Sequence, residues 1–410
     1  MQHRATACLL VLLGASAGHA AADQQAFDEI ERGHYLAIAG DCAPCHTTPG
    51  GKPYAGGRPI ETPFGTLVSS NITPDRETGI GAWTDDEFVN SMQEGTGRDG
   101  RRLYPAMPYT YYTGVTREDA LAIRAYLTTL DPVRNEVISN QLPFPFNIRA
   151  SLAVWNALFF KHGTFEPVAG KSDEWNRGAY LVEGLGHCGA CHTAKNVLGA
   201  DKTSRAFRGG ELQGWYAPNL TDDPRIGLGS WLIDDVVAYL KTGHNSISAA
   251  SGPMSEVVAA STSHMTDADL RAMAVYLKDH PPQGGGSREP VSDQDRVMRA
   301  GQAIYVDNCA ACHAAAGTGI PRLFSALKDS PSVLADDPVS VIRVVLQGAQ
   351  SVATDSAPTG SSMPAHGWKL SDEQVAAVIT YIRNSWGNVA SAVSAGEVKN
   401  ARRQLSQRTD

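Results

Sequence analysis

Six cysteines and three histidines recur in one pentapeptide: Cys42-Ala-Pro-Cys45-His46, Cys188-Gly-Ala-Cys191-His192 and Cys309-Ala-Ala-Cys312-His313. Two thiols three residues apart share one face of a helical turn. Each can form a thioether with a vinyl group of one haem, and the imidazole that follows reaches the iron as proximal ligand. A thioredoxin-like redox motif accounts for a single C-x-x-C, but for neither the repeated histidine nor the triplication. A zinc site needs four ligands closing around each metal, and no second Cys or His pair lies at a suitable spacing. The pattern therefore predicts three covalently bound haem c groups, joined through Cys42, Cys45, Cys188, Cys191, Cys309 and Cys312. His46, His192 and His313 are their proximal iron ligands.

A second axial ligand decides whether such an iron carries electrons or binds small molecules. Met107 follows His46 by 61 residues, Met254 follows His192 by 62, and Met363 follows His313 by 50 in a shorter final repeat. Each has proline beside it, in Met107-Pro108, Pro253-Met254 and Met363-Pro364, which suits a fixed loop. A thioether in the sixth position raises the potential relative to bis-histidine and favours electron transfer by filling the open site. In the second repeat His264 and Met265 compete with Met254. Met92 and Met273 fall within helical patterns and are expected in the core. His244 and His366 are expected at the surface or beside a propionate.

The elements that position these groups repeat as well. A short helical pattern with a glycine, Gly33, Gly178 or Gly301, precedes each motif. After the first two motifs come matching loops, Ser70-Asn71-Ile72-Thr73 with Gly81-Ala82-Trp83, and Pro218-Asn219-Leu220-Thr221 with Gly229-Ser230-Trp231. A middle helix then stops at Gly95, Gly243 or Gly348. Each repeat closes with an amphipathic helix introduced by Thr116, Thr266 or Ser371, of which only Ser371 heads a strict capping box with Gln374. Tyr126, Tyr276 and Tyr381 fall at equivalent places in these helices.

The fold expected is mainly α, with three tandem class I cytochrome c-like domains, each wrapped around one haem. A haem also gives about 100 residues an additional apolar centre to bury. The expected domains are 23–135, 171–280 and 294–390. An aromatic-rich linker, 136–170, joins the first two and carries Phe144, Phe146, Trp155, Phe159, Phe160 and Phe165, with an apolar helix expected from Ser151 to Phe160. That stretch reads as inter-domain packing, or as a docking surface for a partner or a membrane. Residues 281–293 read as a flexible tether. The tail, 391–410, reads as a frayed terminus, with a weak amphipathic helix against anionic headgroups as the alternative.

Residues 1–22 have a basic start, an apolar run from about Ala7 to Ala17 and small residues at the end, which describes a secretory signal peptide. Cys8, the seventh cysteine, would leave with it, and the other six are consumed by thioethers. The net charge of −8 over 410 residues excludes the global basic signature of a nucleic-acid binder. No stretch reaches 18 consecutive apolar residues, as a spanning helix would require.

With these spacings laid out, the chain resembles the three-haem cytochrome c subunits of bacterial membrane-bound dehydrogenases of the alcohol, gluconate 2-dehydrogenase and flavin-dependent sugar dehydrogenase type. The resemblance covers the mature chain. It rests on the order of the repeats, on Tyr104-Pro-Ala-Met107-Pro108-Tyr109, on Gly252-Pro253-Met254-Ser-Glu-Val-Val and on Leu142-Pro-Phe-Pro-Phe146-Asn147. It implies a subunit on the periplasmic face of the inner membrane. There it would take electrons from a flavin- or PQQ-bearing catalytic subunit and pass them toward ubiquinone, without catalysing substrate oxidation itself. The alternatives are a multihaem peroxidase acting alone, which requires an accessible iron, and a free periplasmic shuttle. No G-x-G-x-x-G, P-loop or H-E-x-x-H pattern marks a substrate-converting module.

Overall fold

The computed structural model describes residues 24–282 and 288–406. The expected signal peptide, Cys8 and the centre of the expected tether lie outside the described residues. The chain divides into two compact units, residues 1–165 and 166–410.

In the first unit a helix over 24–39 leads to the haem-motif turn Cys42–Cys45. An antiparallel hairpin pairs Pro59–Thr62 with Gly65–Val68. The middle helix Asp85–Gln93 and the closing helix Arg117–Thr128 follow. In the second unit the helices recur in this order twice, with a hairpin between motif and middle helix in the first of the two repeats. Asp173–Tyr180, continued by a π-helical turn Leu181–Leu185, precedes the motif helix Gly189–His192. The hairpin Gly210–Leu212 with Trp215–Ala217, the middle helix Ile233–Thr242 and the closing helix Asp267–Lys278 complete that repeat. The last repeat comprises Arg296–Asn308, Ala310–His313, Val339–Gln347 and Asp372–Asn384.

Each repeat is held by one helix crossing. A methyl group placed on Gly33 would lie 1.8 Å from the Ala122 carbonyl oxygen, on Gly178 2.0 Å from that of Ala272, and on Gly301 2.2 Å from that of Ala377. Only glycine lets the first helix approach the closing helix so closely. The equivalent tyrosines stand one turn beyond these three alanines. Tyr126 stacks on His34 at 4.5 Å, Tyr276 meets Trp175 at 5.0 Å, and Tyr381 meets Tyr305 at 5.5 Å.

The closing helices are capped as their sequences direct, with Thr116, Thr266 and Ser371 accepting from the amides of Asp119, Asp269 and Gln374. The structure gives a reason why only the third is a full capping box. Asp119 pairs with Arg32 at 2.7 Å, and Asp269 takes both Arg177 Nε and Nη2, at 2.8 and 2.7 Å. These carboxylates tie the closing helix to the residue before the crossing glycine. In the third repeat that residue is Ala300, and Gln374 folds back to accept from the Ser371 amide.

Two expectations need correction. The segment 136–165 is part of the first compact unit: Gln141 pairs with Thr66, and Asn140 Oδ1 accepts from the Val68 amide. Its apolar helix does form, over Ser151–Phe159. The tail is not frayed over its described length. It forms the helix Ala395–Ser406, whose buried Val398 and Ala401 join the core of the last repeat, while Arg402 pairs with Asp372 at 2.9 Å. Apolar positions at 398, 401 and 405 face the protein, so helical periodicity was present there.

Candidate haem-binding sites

The three motif histidines share one backing. His46 Nδ1 lies 2.7 Å from the carbonyl oxygen of Ser70, His192 Nδ1 2.7 Å from that of Pro218, and His313 Nδ1 2.9 Å from that of Ser325. A ring nitrogen donating to a carbonyl fixes the tautomer and leaves Nε2 as the free lone pair for a metal. Burial also lowers the pKa of all three imidazoles, favouring the neutral, ligating form.

The carbonyls are presented by the N-x-T loops. Asn71 Oδ1 accepts from the Thr73 amide at 2.9 Å, and Asn219 Oδ1 accepts from the Thr221 amide at 2.7 Å. The residue before each Asn thereby turns its carbonyl toward the histidine. Sequence reading found these loops as a repeat and missed what they do; the signal was the invariant position of Asn one residue after the acceptor. The third repeat has no such loop. Its acceptor, Ser325, follows His313 by 12 residues against 24 and 26 in the others.

The thiols do not resemble activated redox cysteines. None of the six described cysteines is joined in a disulfide. Burial, with help from Asp41 and Cys45, pushes the Cys42 thiol up to about 12; burial with Cys191 and Glu183 pushes Cys188 up to about 12; burial with Cys312 pushes Cys309 up to about 11. A catalytic or zinc-binding cysteine requires the opposite shift. Among the described residues no three His, Cys, Asp or Glu side chains gather as a metal site, whereas a haem iron brings equatorial ligands of its own. A porphyrin supplies four. Trp231 adds a further sign: it is buried, and its Nε1–H has no acceptor among the described residues. An acceptor on a bound group, such as a propionate, is what that orphaned donor fits. The residues therefore fit covalent haem, which supplies reversible one-electron chemistry at iron.

The methionines occupy different local structures. Met107 sits in a turn, its amide donating to Tyr104 and its carbonyl accepting from Tyr109. Met363 lies on the short strand Ser362–Met363, opposite Ala349. Met254 departs from the expected loop: it is in the first turn of the helix Pro253–Ala260, with Pro253 as the opening residue. Proline at the first helical position is the physical reason, because its missing N–H costs nothing there. Met254 packs beside Ala250, Val258 and Val352. Met265 is buried, with its carbonyl accepting from Lys241, while the rival His264 is exposed and bonded to the Ala259 carbonyl. Met92 and Met273 are buried in the core.

Small helical repeats, each placing a carbonyl-backed C-x-x-C-H histidine beside two thiols, define a c-type cytochrome. Comparison with known proteins agrees, since the family model described as cytochrome c matches residues 30–131 and 298–386. The gluconate 2-dehydrogenase cytochrome c subunit of Pantoea cypripedii is 40% identical over 96% of this chain and 94% of its own length. The cytochrome c subunit of the quinone alcohol dehydrogenase of Gluconobacter oxydans is 38% identical over 97% of this chain and 87% of its own. The fructose dehydrogenase cytochrome subunit of Gluconobacter japonicus is 37% identical, covering 91% and 82%. The chain belongs to this family of cytochrome c subunits, and its role is electron transfer, not substrate conversion.

Proposed function

We propose that the protein is a three-haem subunit that accepts electrons from a flavin- or PQQ-containing dehydrogenase subunit and relays them to ubiquinone. It would act at the periplasmic face of the inner membrane after secretion by its signal peptide. The observation that carries the reading is the threefold recurrence of a histidine backed by a backbone carbonyl within Cys-x-x-Cys-His. The relatives named for gluconate, alcohol and fructose dehydrogenases support a dehydrogenase partner.

In this reading Cys42, Cys45 and His46 hold the first haem, Cys188, Cys191 and His192 the second, and Cys309, Cys312 and His313 the third. Met107, Met254 and Met363 complete the iron coordination. Three filled irons make a relay with no vacancy for peroxide, which separates this reading from a multihaem peroxidase. The test is carbon monoxide added to the reduced holoprotein. An unchanged spectrum is expected, and strong binding by native haem contradicts the relay. Recovery from membranes together with a large flavin or PQQ protein is also expected; recovery of the cytochrome alone would favour a free shuttle.

A further inference from the structure

The first unit carries an apolar surface that the fold does not cover. Phe144 is 78% exposed, Val154 64% and Leu158 65%, with Ile138, Phe146 and Ile148 also exposed. Successive turns, Phe146 N–H to Pro143 O, Ile148 N–H to Pro145 O and Leu152 N–H to Arg149 O, run the Phe144 segment straight into the helix Ser151–Phe159. On that helix Val154 and Leu158 are four apart and share one face. Trp155 and Phe159 stand beside them with ring centroids 5.5 Å apart.

Charge decides what this surface fits. From 137 to 160 the chain holds no acidic residue and one cation, Arg149, although the whole protein is acidic with net charge −8. Arg149 spends its guanidinium on the Arg102 carbonyl and the Tyr104 ring, and no carboxylate among the described residues pairs with it. Lys161 closes the segment and has no partner among the described residues. Exposed Phe and aliphatic side chains bordered by cations that face no carboxylate among the described residues match the interface of an anionic bilayer. No described helix is long and apolar enough to cross a membrane.

The patch is also bonded to the segment that bears Met107. Tyr109, fully buried, donates to Asn156 Oδ1 at 2.7 Å, and Tyr104 donates to the Phe146 carbonyl at 3.0 Å. We propose that residues 138–160 are the surface that lies on anionic lipid, bringing the Met107 side of the first repeat to the membrane. This rests on the reading of the protein as a membrane-face subunit, and it turns the first repeat's haem site toward the lipid in which a quinone dissolves.

The test is co-sedimentation of the full holoprotein with phosphatidylglycerol/phosphatidylcholine vesicles and with pure phosphatidylcholine vesicles. The wild type is expected to bind, with preference for phosphatidylglycerol. Val154→Glu with Leu158→Glu is expected to weaken binding by about tenfold or more with an unchanged haem spectrum, and Phe144→Ser to weaken it less. Absence of vesicle binding by the wild type overturns the membrane reading itself. Equal binding by wild type and double variant overturns only the assignment to this surface. A double variant that keeps vesicle binding but no longer associates with the dehydrogenase makes the patch a protein interface, and the proposal falls.

Discussion

The imidazole of His192 and the carbonyl of Pro218 are 2.7 Å apart, and the side chain of Asn219 holds the turn that presents that carbonyl. A proximal histidine that donates to a fixed acceptor becomes more electron-rich and stabilises the oxidised iron. Asn219→Ala releases the turn and is expected to raise the midpoint potential of one haem while leaving the others in place. It also removes a buried hydrogen bond worth about 1–3 kcal/mol. Potentiometric titration checks this; an unmoved set of potentials in a folded variant would separate the carbonyl from any tuning role.

Helix crossing in each repeat leaves no room at its glycine. Gly178→Ala puts a methyl group 2.0 Å from the Ala272 carbonyl oxygen, a backbone atom that cannot rotate aside. The helices must separate, and overpacking of this kind costs about 1–3 kcal/mol. Chemical denaturation is expected to show that loss. The exposed Gly163, where a methyl meets nothing within 4 Å, gives the control, Gly163→Ala, with a change within about 0.5 kcal/mol.

Acid destabilisation is expected through His280. Its ring packs against Phe207 at 4.9 Å and Tyr276 at 4.8 Å, and burial lowers its pKa despite the opposing pull of Glu183 and Asp279. The unfolded chain, with an ordinary histidine pKa of about 6.5, then binds the proton more readily than the native state. The contribution is complete above about pH 6.5 and is lost as the pH falls through the native pKa. His280→Gln should flatten the stability profile below about pH 6.5 relative to wild type; parallel profiles would remove His280 from the account.

Substituting the proposed sixth ligands one at a time gives a spectroscopic test. Met107→Ala, Met254→Ala and Met363→Ala should each remove one near-infrared methionine–iron band and lower one haem potential, since a thioether ligand raises it. A band set unchanged by one of these substitutions rejects that residue as a ligand. Met254 is the sharpest case, because it sits in a helical turn, whereas the other two do not.

Haem attachment was legible because its chemistry needs fixed residue types at fixed spacing, and so was the repeat of glycine, capping residue and tyrosine. Those features are local. What escaped the sequence depends on distant segments meeting. The Arg32–Asp119 and Arg177–Asp269 pairs join positions far apart in the chain, and the Asp at the capping position looked only like an imperfect box. The carbonyls of Ser70, Pro218 and Ser325 have no side-chain identity to read, since any residue can supply a backbone oxygen. The tail misled for a related reason: a helix short of apolar residues is marginal alone and becomes ordered by packing Val398 and Ala401 into a core it does not itself contain. In the 136–165 segment composition identified the apolar helix, but contacts between distant residues, such as Gln141 with Thr66 and Tyr109 with Asn156, tie it to the first unit.

The central proposal is that one chain carries three electron-transfer haems. A coulometric redox titration of the purified holoprotein measures this directly. Three one-electron equivalents per polypeptide, all from low-spin haem, is the expected result. Two or fewer equivalents, or a high-spin fraction in undamaged protein, would contradict it.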